Sequence, residues 1–162
     1  MIRLITSSDE ETREMAAALA PMARAGDLLL VSGDLGAGKT VFAQGFARGL
    51  GVTEPVTSPT FTLVRTYPAA IPLIHADLYR LERMQEVIDL GLNELLDHSA
   101  VALIEWGDVA AATFTSDYLL VRSGLEPEAE STRLFQLGMV GPSWSARNAT
   151  MSRALAPWVV AS

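Results

Sequence analysis

Residues Leu28–Leu29–Leu30–Val31 run straight into Ser32–Gly33–Asp34–Leu35–Gly36–Ala37–Gly38–Lys39–Thr40, and few features restrict a fold as tightly as an apolar strand ending in GDLGAGKT. The four apolar residues read as a strand covered on both faces. Val41–Leu50 then carries a helical pattern that stops at Gly51, a favourable residue just past a helix C-terminus. Strand, loop and helix therefore come in the order a phosphate-binding loop requires. Gly33, Gly36 and Gly38 let the backbone turn so that successive N–H groups, backed by the helix N-terminus, point at phosphate oxygens. Asp34, Leu35 and Ala37 complete the loop, Lys39 reaches the β and γ phosphates, and the Thr40 hydroxyl can ligate Mg²⁺. Eleven of the twelve basic residues are arginines, which makes Lys39 the only lysine in the chain. The ordinary reading of a lysine as surface solubiliser has no support here.

Composition bounds the rest. With 162 residues, 49% of them hydrophobic, the chain is long enough for one domain with a real core and short for two, so residues 1–162 are expected to form a single α/β domain. A net charge of −7 argues against a broad basic surface gripping nucleic acid, so any link to RNA is expected to be indirect. There is no cysteine, which removes disulfides and thiolate metal sites. The N-terminus lacks the basic and apolar regions of a signal peptide, and no run approaches the ~20 apolar residues of a membrane-spanning helix. The expectation is a soluble cytoplasmic protein with no membrane partner.

Taken in order, Ile2–Ile5 reads as an edge strand. Ser8 with Glu11 forms a capping-box pattern opening a helix through Met15 and Leu19, interrupted near Pro21 and closed by Gly26. That helix serves to cover a sheet face; Ser7 and Thr12 at its start also stand where they can line the base or ribose end of a nucleotide. Thr62–Tyr67 reads as a strand entered through Ser58–Pro59–Thr60. A hydroxyl of that segment fits either a switch-like group meeting Mg²⁺ or γ-phosphate, or an ordinary Ser-Pro turn. Pro72–His75 is a short apolar strand leading to Asp77. That carboxylate fits both the ligand-binding edge of an open α/β sheet and the N-cap of a helix over Leu78–Leu90. A further short helix follows Gly91. Val101–Ala102–Leu103–Ile104 ends abruptly in Glu105, a Walker B-like strand with Glu for the usual Asp, beside Trp106. Beyond it the pattern predicts a short helix over Asp108–Thr113, strands at Tyr118–Val121 and Thr132–Val140 joined through an acidic LEPEAES loop, and a closing helix from Ser143 to Leu155.

No lysine follows Lys39, so no NKxD or TKxD guanine motif exists and ATP is the expected nucleotide. A free-standing P-loop kinase of a small metabolite is the alternative, although no arginine-rich lid stands out. A nucleotide-dependent scaffold whose hydrolysis is incidental is a third reading.

GDLGAGKT, SPTFTLV, HADLYRL and IEW, in this order and spacing, resemble the TsaE family of bacterial P-loop ATPases that support threonylcarbamoyladenosine synthesis on tRNA; the resemblance runs from about Ser7 to Trp106. It implies a P-loop NTPase-like α/β domain with a mixed, mainly parallel sheet flanked by helices. It further implies binding of ATP and Mg²⁺, and docking on the threonylcarbamoyl-transferase TsaD and its dimerisation partner TsaB. Hydrolysis then lets that complex turn over on adenosine 37, with weak activity of the ATPase alone. By the same resemblance Leu35 to Thr40 hold phosphates, Lys39 is catalytic, and Thr40 and Glu105 ligate magnesium. Asp77 lies near the metal and hydrolytic water, Thr60 belongs to a switch-like segment, and Trp106 edges the nucleotide site. The family's frequent Gly-Arg before the last strand is Glu130–Ser131–Thr132–Arg133 here, so the resemblance assigns Arg133 no role.

Overall fold

The computed structural model describes residues 1–34, 36–58, 64–78, 99–105 and 117–161. Seven strands, β1 (Ile2–Thr6), β2 (Leu28–Gly33), β3 (Val64–Tyr67), β4 (Leu73–Asp77), β5 (Val101–Glu105), β6 (Tyr118–Glu126) and β7 (Ala129–Val140), join one sheet in the order β1-β7-β6-β2-β5-β4-β3. The parallel pairings occupy the centre, where β6, β2, β5 and β4 lie side by side. Antiparallel partners β7, β1 and β3 extend the two edges. This mixed α/β sheet agrees with the expected fold class. The runs Leu28–Val31 of β2 and 101–104 of β5 are apolar on both faces, as parallel strands are when covered on both sides. Leu28, Leu29, Leu30 and Val31 are all buried.

Helices α1 (Asp9–Leu19), α2 (Lys39–Leu50), α3 (Pro142–Ser145) and α4 (Asn148–Ala154) share one core with the sheet face carrying Leu29, Val31, Val101, Leu103 and Leu137. The opposite face carries a second apolar layer of Leu28, Leu30, Ile74, Ala76, Ala102 and Ile104. Helix α1 begins as expected. Ser8 Oγ accepts from the Glu11 N–H at 3.1 Å, and the Glu11 carboxylate reaches back to the Ser7 N–H at 2.6 Å. Pro21 sits in a 3₁₀ turn, Ala20–Met22, immediately after it. Gly51 closes α2 in the left-handed conformation with its N–H on the Ala47 and Arg48 carbonyls. The two helices touch backbone to backbone, because a β-carbon at Gly45 would lie 2.3 Å from the Arg13 carbonyl oxygen.

The C-terminal third departs from the sequence expectations in two places. The acidic LEPEAES stretch is largely strand. Pairing of β6 with β7 continues to Glu126 and resumes at Ala129, leaving Pro127–Glu128 as the turn, because the acids stand out from the ribbon without breaking the ladder. The helix expected over Ser143–Leu155 is two helices and a 3₁₀ turn. Ala146 and Arg147 break it, and the turn lets the Arg147 guanidinium reach Asp27. The expected helices over Leu78–Leu90, after Gly91 and over Asp108–Thr113 fall essentially in 79–98 and 106–116, outside the described residues.

Candidate active site

Strand β2 delivers the loop to the C-terminal edge of the parallel strands, where open α/β sheets bind ligands. Gly33 is required at the strand's end: its φ is +147°, and a β-carbon there would come within 2.3 Å of Ser123 Oγ on neighbouring β6. Gly38, at φ +92°, turns the chain into α2. A β-carbon built at Gly36, where φ is +81°, would meet none of the described residues within 4 Å, which leaves the backbone open to a phosphate on that side. The Lys39 side chain is buried along the loop, and its ammonium donates to the carbonyls of Gly33 (2.8 Å) and Asp34 (2.7 Å). The only lysine of the chain thus lies on the phosphate-binding loop itself.

Thr40 stands in the first turn of α2, and its hydroxyl donates to Glu105 Oε1 at 3.2 Å. Glu105 ends β5 and is buried. Parallel pairing sets Asp77, at the end of β4, directly opposite Glu105, and Ser58 Oγ donates to Asp77 Oδ2 at 3.1 Å. Two residues before Asp77 on the same strand face, His75 is fully buried, with Nε2 2.5 Å from Glu105 Oε2. Arg133 lies on the far side of the loop: its aliphatic stem would be 3.8 Å from a Gly38 β-carbon, and its guanidinium donates to the carbonyls of Glu130 and Thr132.

The structure therefore brings Lys39, Thr40, Glu105 and Asp77 to one edge of the sheet. The Glu105 carboxylate meets the P-loop threonine. Ser7 sits exposed at the start of α1. Thr12 is buried and its hydroxyl is engaged by Thr6 Oγ1 at 2.6 Å, so it joins β1 to α1 and faces no open space. Leu35, Thr60 and Trp106 lie outside the described residues. Sequence reasoning assigned no role to His75 and reached Ser58 only as part of the Ser58–Pro59–Thr60 segment, without its Asp77 partner. The alternation of β4 held a signal for the first, since His75 and Asp77 share a face. Ser58 reaches Asp77 only through the tertiary fold.

Thr40, Glu105, Asp77 and Ser58 are all hard oxygen donors, the set that suits Mg²⁺. Among the described residues no three His, Cys, Asp or Glu side chains cluster as a metal cage.

The β2–loop–α2 unit, with a neighbouring strand's carboxylate on its threonine, places the molecule in the P-loop class of α/β proteins. Residues 6–134 match the family described as "Threonylcarbamoyl adenosine biosynthesis protein TsaE". A tRNA threonylcarbamoyladenosine biosynthesis protein TsaE from Streptomyces coelicolor is 39% identical over 139 residues, 82% of this chain and 93% of that one. The protein of the same name from Bacillus subtilis is 49% identical over 102 residues, and the match spans 62% of this chain and 63% of that protein. The crystal structure of Bacillus subtilis YdiB has a TM-score of 0.80 at 32% identity, covering 94% of this chain and 97% of the other. The chain belongs to the TsaE family. Among the described residues no helix is long and apolar enough to cross a membrane.

Proposed function

We propose that the protein is a Mg²⁺-dependent ATPase acting as an accessory factor in threonylcarbamoyladenosine modification of tRNA, docked on the transferase TsaD and its partner TsaB in the cytoplasm. The observation that carries the reading is the contact between Thr40 and Glu105, which joins the P-loop to the β5 carboxylate in a chain of the TsaE family. The loop N–H groups and Lys39 hold the phosphates, with the lysine exchanging carbonyl partners for phosphate oxygens. Thr40 donates its hydroxyl hydrogen bond to Glu105, which would leave a lone pair of the hydroxyl oxygen free to ligate a cation. A Mg²⁺ ion held by Thr40 and Glu105 would supply charge neutralisation to the phosphates. Asp77, aligned with Glu105 and held by Ser58, orients water at the same edge. Among the described residues no uncommitted base stands beside the loop, so hydrolysis by the isolated chain is slow and requires completion of the site by the partners.

Phosphate release from Mg·ATP by the purified chain, alone and with the TsaD–TsaB pair, tests this, with GTP as control. The expected result is slow release alone and acceleration by the pair. A rate indifferent to the pair, or phosphoryl transfer to a small metabolite, overturns the reading in favour of a free-standing kinase.

A further inference from the structure

Strand β4 presents Leu73, His75 and Asp77 to the helix-covered face of the sheet, in register with Val101, Leu103 and Glu105 of β5. Leu73, Val101 and Leu103 belong to the core, so an apolar residue at position 75 would continue the pattern. The chain has instead a histidine with no solvent exposure, at a real cost. His75 Nδ1 is buried with no hydrogen-bond partner among the described residues, and a buried polar atom left without a hydrogen bond is destabilising. What the ring provides in return is its other nitrogen, on Glu105 Oε2 at 2.5 Å. A carboxylate can only accept, so with Glu105 ionised the ring proton is on Nε2.

The environment explains why Glu105 needs that donor. Asp77 and Glu105 are direct neighbours on adjacent parallel strands, an unfavourable pairing of like charges. Each has dedicated donors: Ser58 for Asp77, and Thr40 with His75 for Glu105. Thr40 holds Oε1 and His75 holds Oε2, so the plane of the Glu105 carboxylate is set from both sides. Burial keeps His75 from ligating anything itself; it acts only through Glu105.

We propose that His75 is a positioning residue: its Nε2–H fixes Glu105 so that the carboxylate and Thr40 together meet the divalent cation of the nucleotide complex. This rests on the functional reading above. Groups hydrogen-bonded behind a metal ligand typically change metal affinity by about 10–100-fold.

The test is Mn²⁺ affinity, by electron paramagnetic resonance of free Mn²⁺, in the ADP complex of the full chain and of H75L, H75Q and H75N. ADP affinity in chelator and the circular dichroism spectrum are measured alongside. H75L removes the donor and keeps the apolar bulk. The expected loss of Mn²⁺ affinity is about 10–100-fold, with ADP binding in chelator unchanged. H75Q, whose amide N–H₂ reaches where Nε2 does, recovers most of the loss, and the shorter H75N does not. Equal Mn²⁺ affinity across wild type, H75L and H75Q overturns the inference. Should H75L fail to fold, the Gln–Asn comparison decides, and equal affinities for those two overturn it as well. A wild-type chain that binds Mn·ADP but releases no phosphate with the partners overturns the ATPase reading and leaves this comparison standing. A chain that binds neither ADP nor Mn²⁺ overturns both.

Discussion

At the scale of single residues, the site depends on which group each side chain meets. Lys39 is buried on the loop carbonyls, Thr40 is on Glu105 Oε1, and Ser58 is on Asp77. Glu105 is the hinge of this set because it is the acid that touches the P-loop threonine. Replacing it by glutamine keeps an acceptor for Thr40 and a partner for His75 but removes the charge. In E105Q, partner-stimulated phosphate release is expected to fall by about 10²–10³-fold, the scale of a lost electrostatic stabiliser. Thermal unfolding should be close to wild type. A variant that hydrolyses ATP normally would show that Glu105 serves only the fold.

At the scale of elements, the α1–α2 pair carries the loop. Gly45 lets α2 lie against the α1 backbone, and a methyl group there meets the Arg13 carbonyl, which cannot swing aside as a side chain would. Overpacking costs typically ~1–3 kcal/mol, whereas alanine gains up to ~1 kcal/mol over glycine within a helix. The clash prevails, and G45A is expected to unfold at lower urea concentration than wild type. The same helices are tied on the outside by Glu10, which meets Arg48 at 2.9 Å and Arg13 at 3.4 Å. The Arg48 hydrogen bond is the main cause holding the Glu10 carboxyl below its ordinary 4.5. Desolvation, the next largest cause, opposes it, and the guanidinium charges of Arg48 and Arg13 and the Arg13 hydrogen bond assist. A depressed acid stabilises the fold above its unfolded pKa and loses that contribution as pH falls through the folded value. E10Q should therefore melt slightly below wild type at neutral pH. The difference should close in acid and shrink in high salt, because the pair is exposed.

At the scale of the whole molecule, the C-terminal helices are fastened to the end of the sheet away from the loop. Arg147 is buried, donates to both Asp27 oxygens at 2.6 and 3.0 Å and to Ser143 Oγ at 2.6 Å, and lies 4.1 Å over the Trp144 ring. Removing one partner strands the other charge, so R147A is expected to cost about 3–5 kcal/mol in chemical denaturation. Phosphate release per folded molecule should be retained, since the clasp lies at the opposite sheet edge. A neutral effect on stability would show that water replaces the guanidinium. How much of this was legible in sequence follows the distance over which each signal acts. The run from Leu28 to Thr40, the Ser8–Glu11 cap, the Gly51 stop and the apolar run ending in Glu105 are local: backbone propensity and alternation over a few residues decide them. So the sequence by itself determined the strand–loop–helix unit, the lysine and threonine it presents, and the acids waiting at two strand ends. Only the tertiary structure decided what those acids meet. His75 and Glu105 are thirty residues apart, Ser58 and Asp77 nineteen, and Asp27 and Arg147 one hundred and twenty. Such pairs form because packing sets β4 beside β5 and folds the C-terminus under β2, and no local pattern encodes which strand will lie beside which.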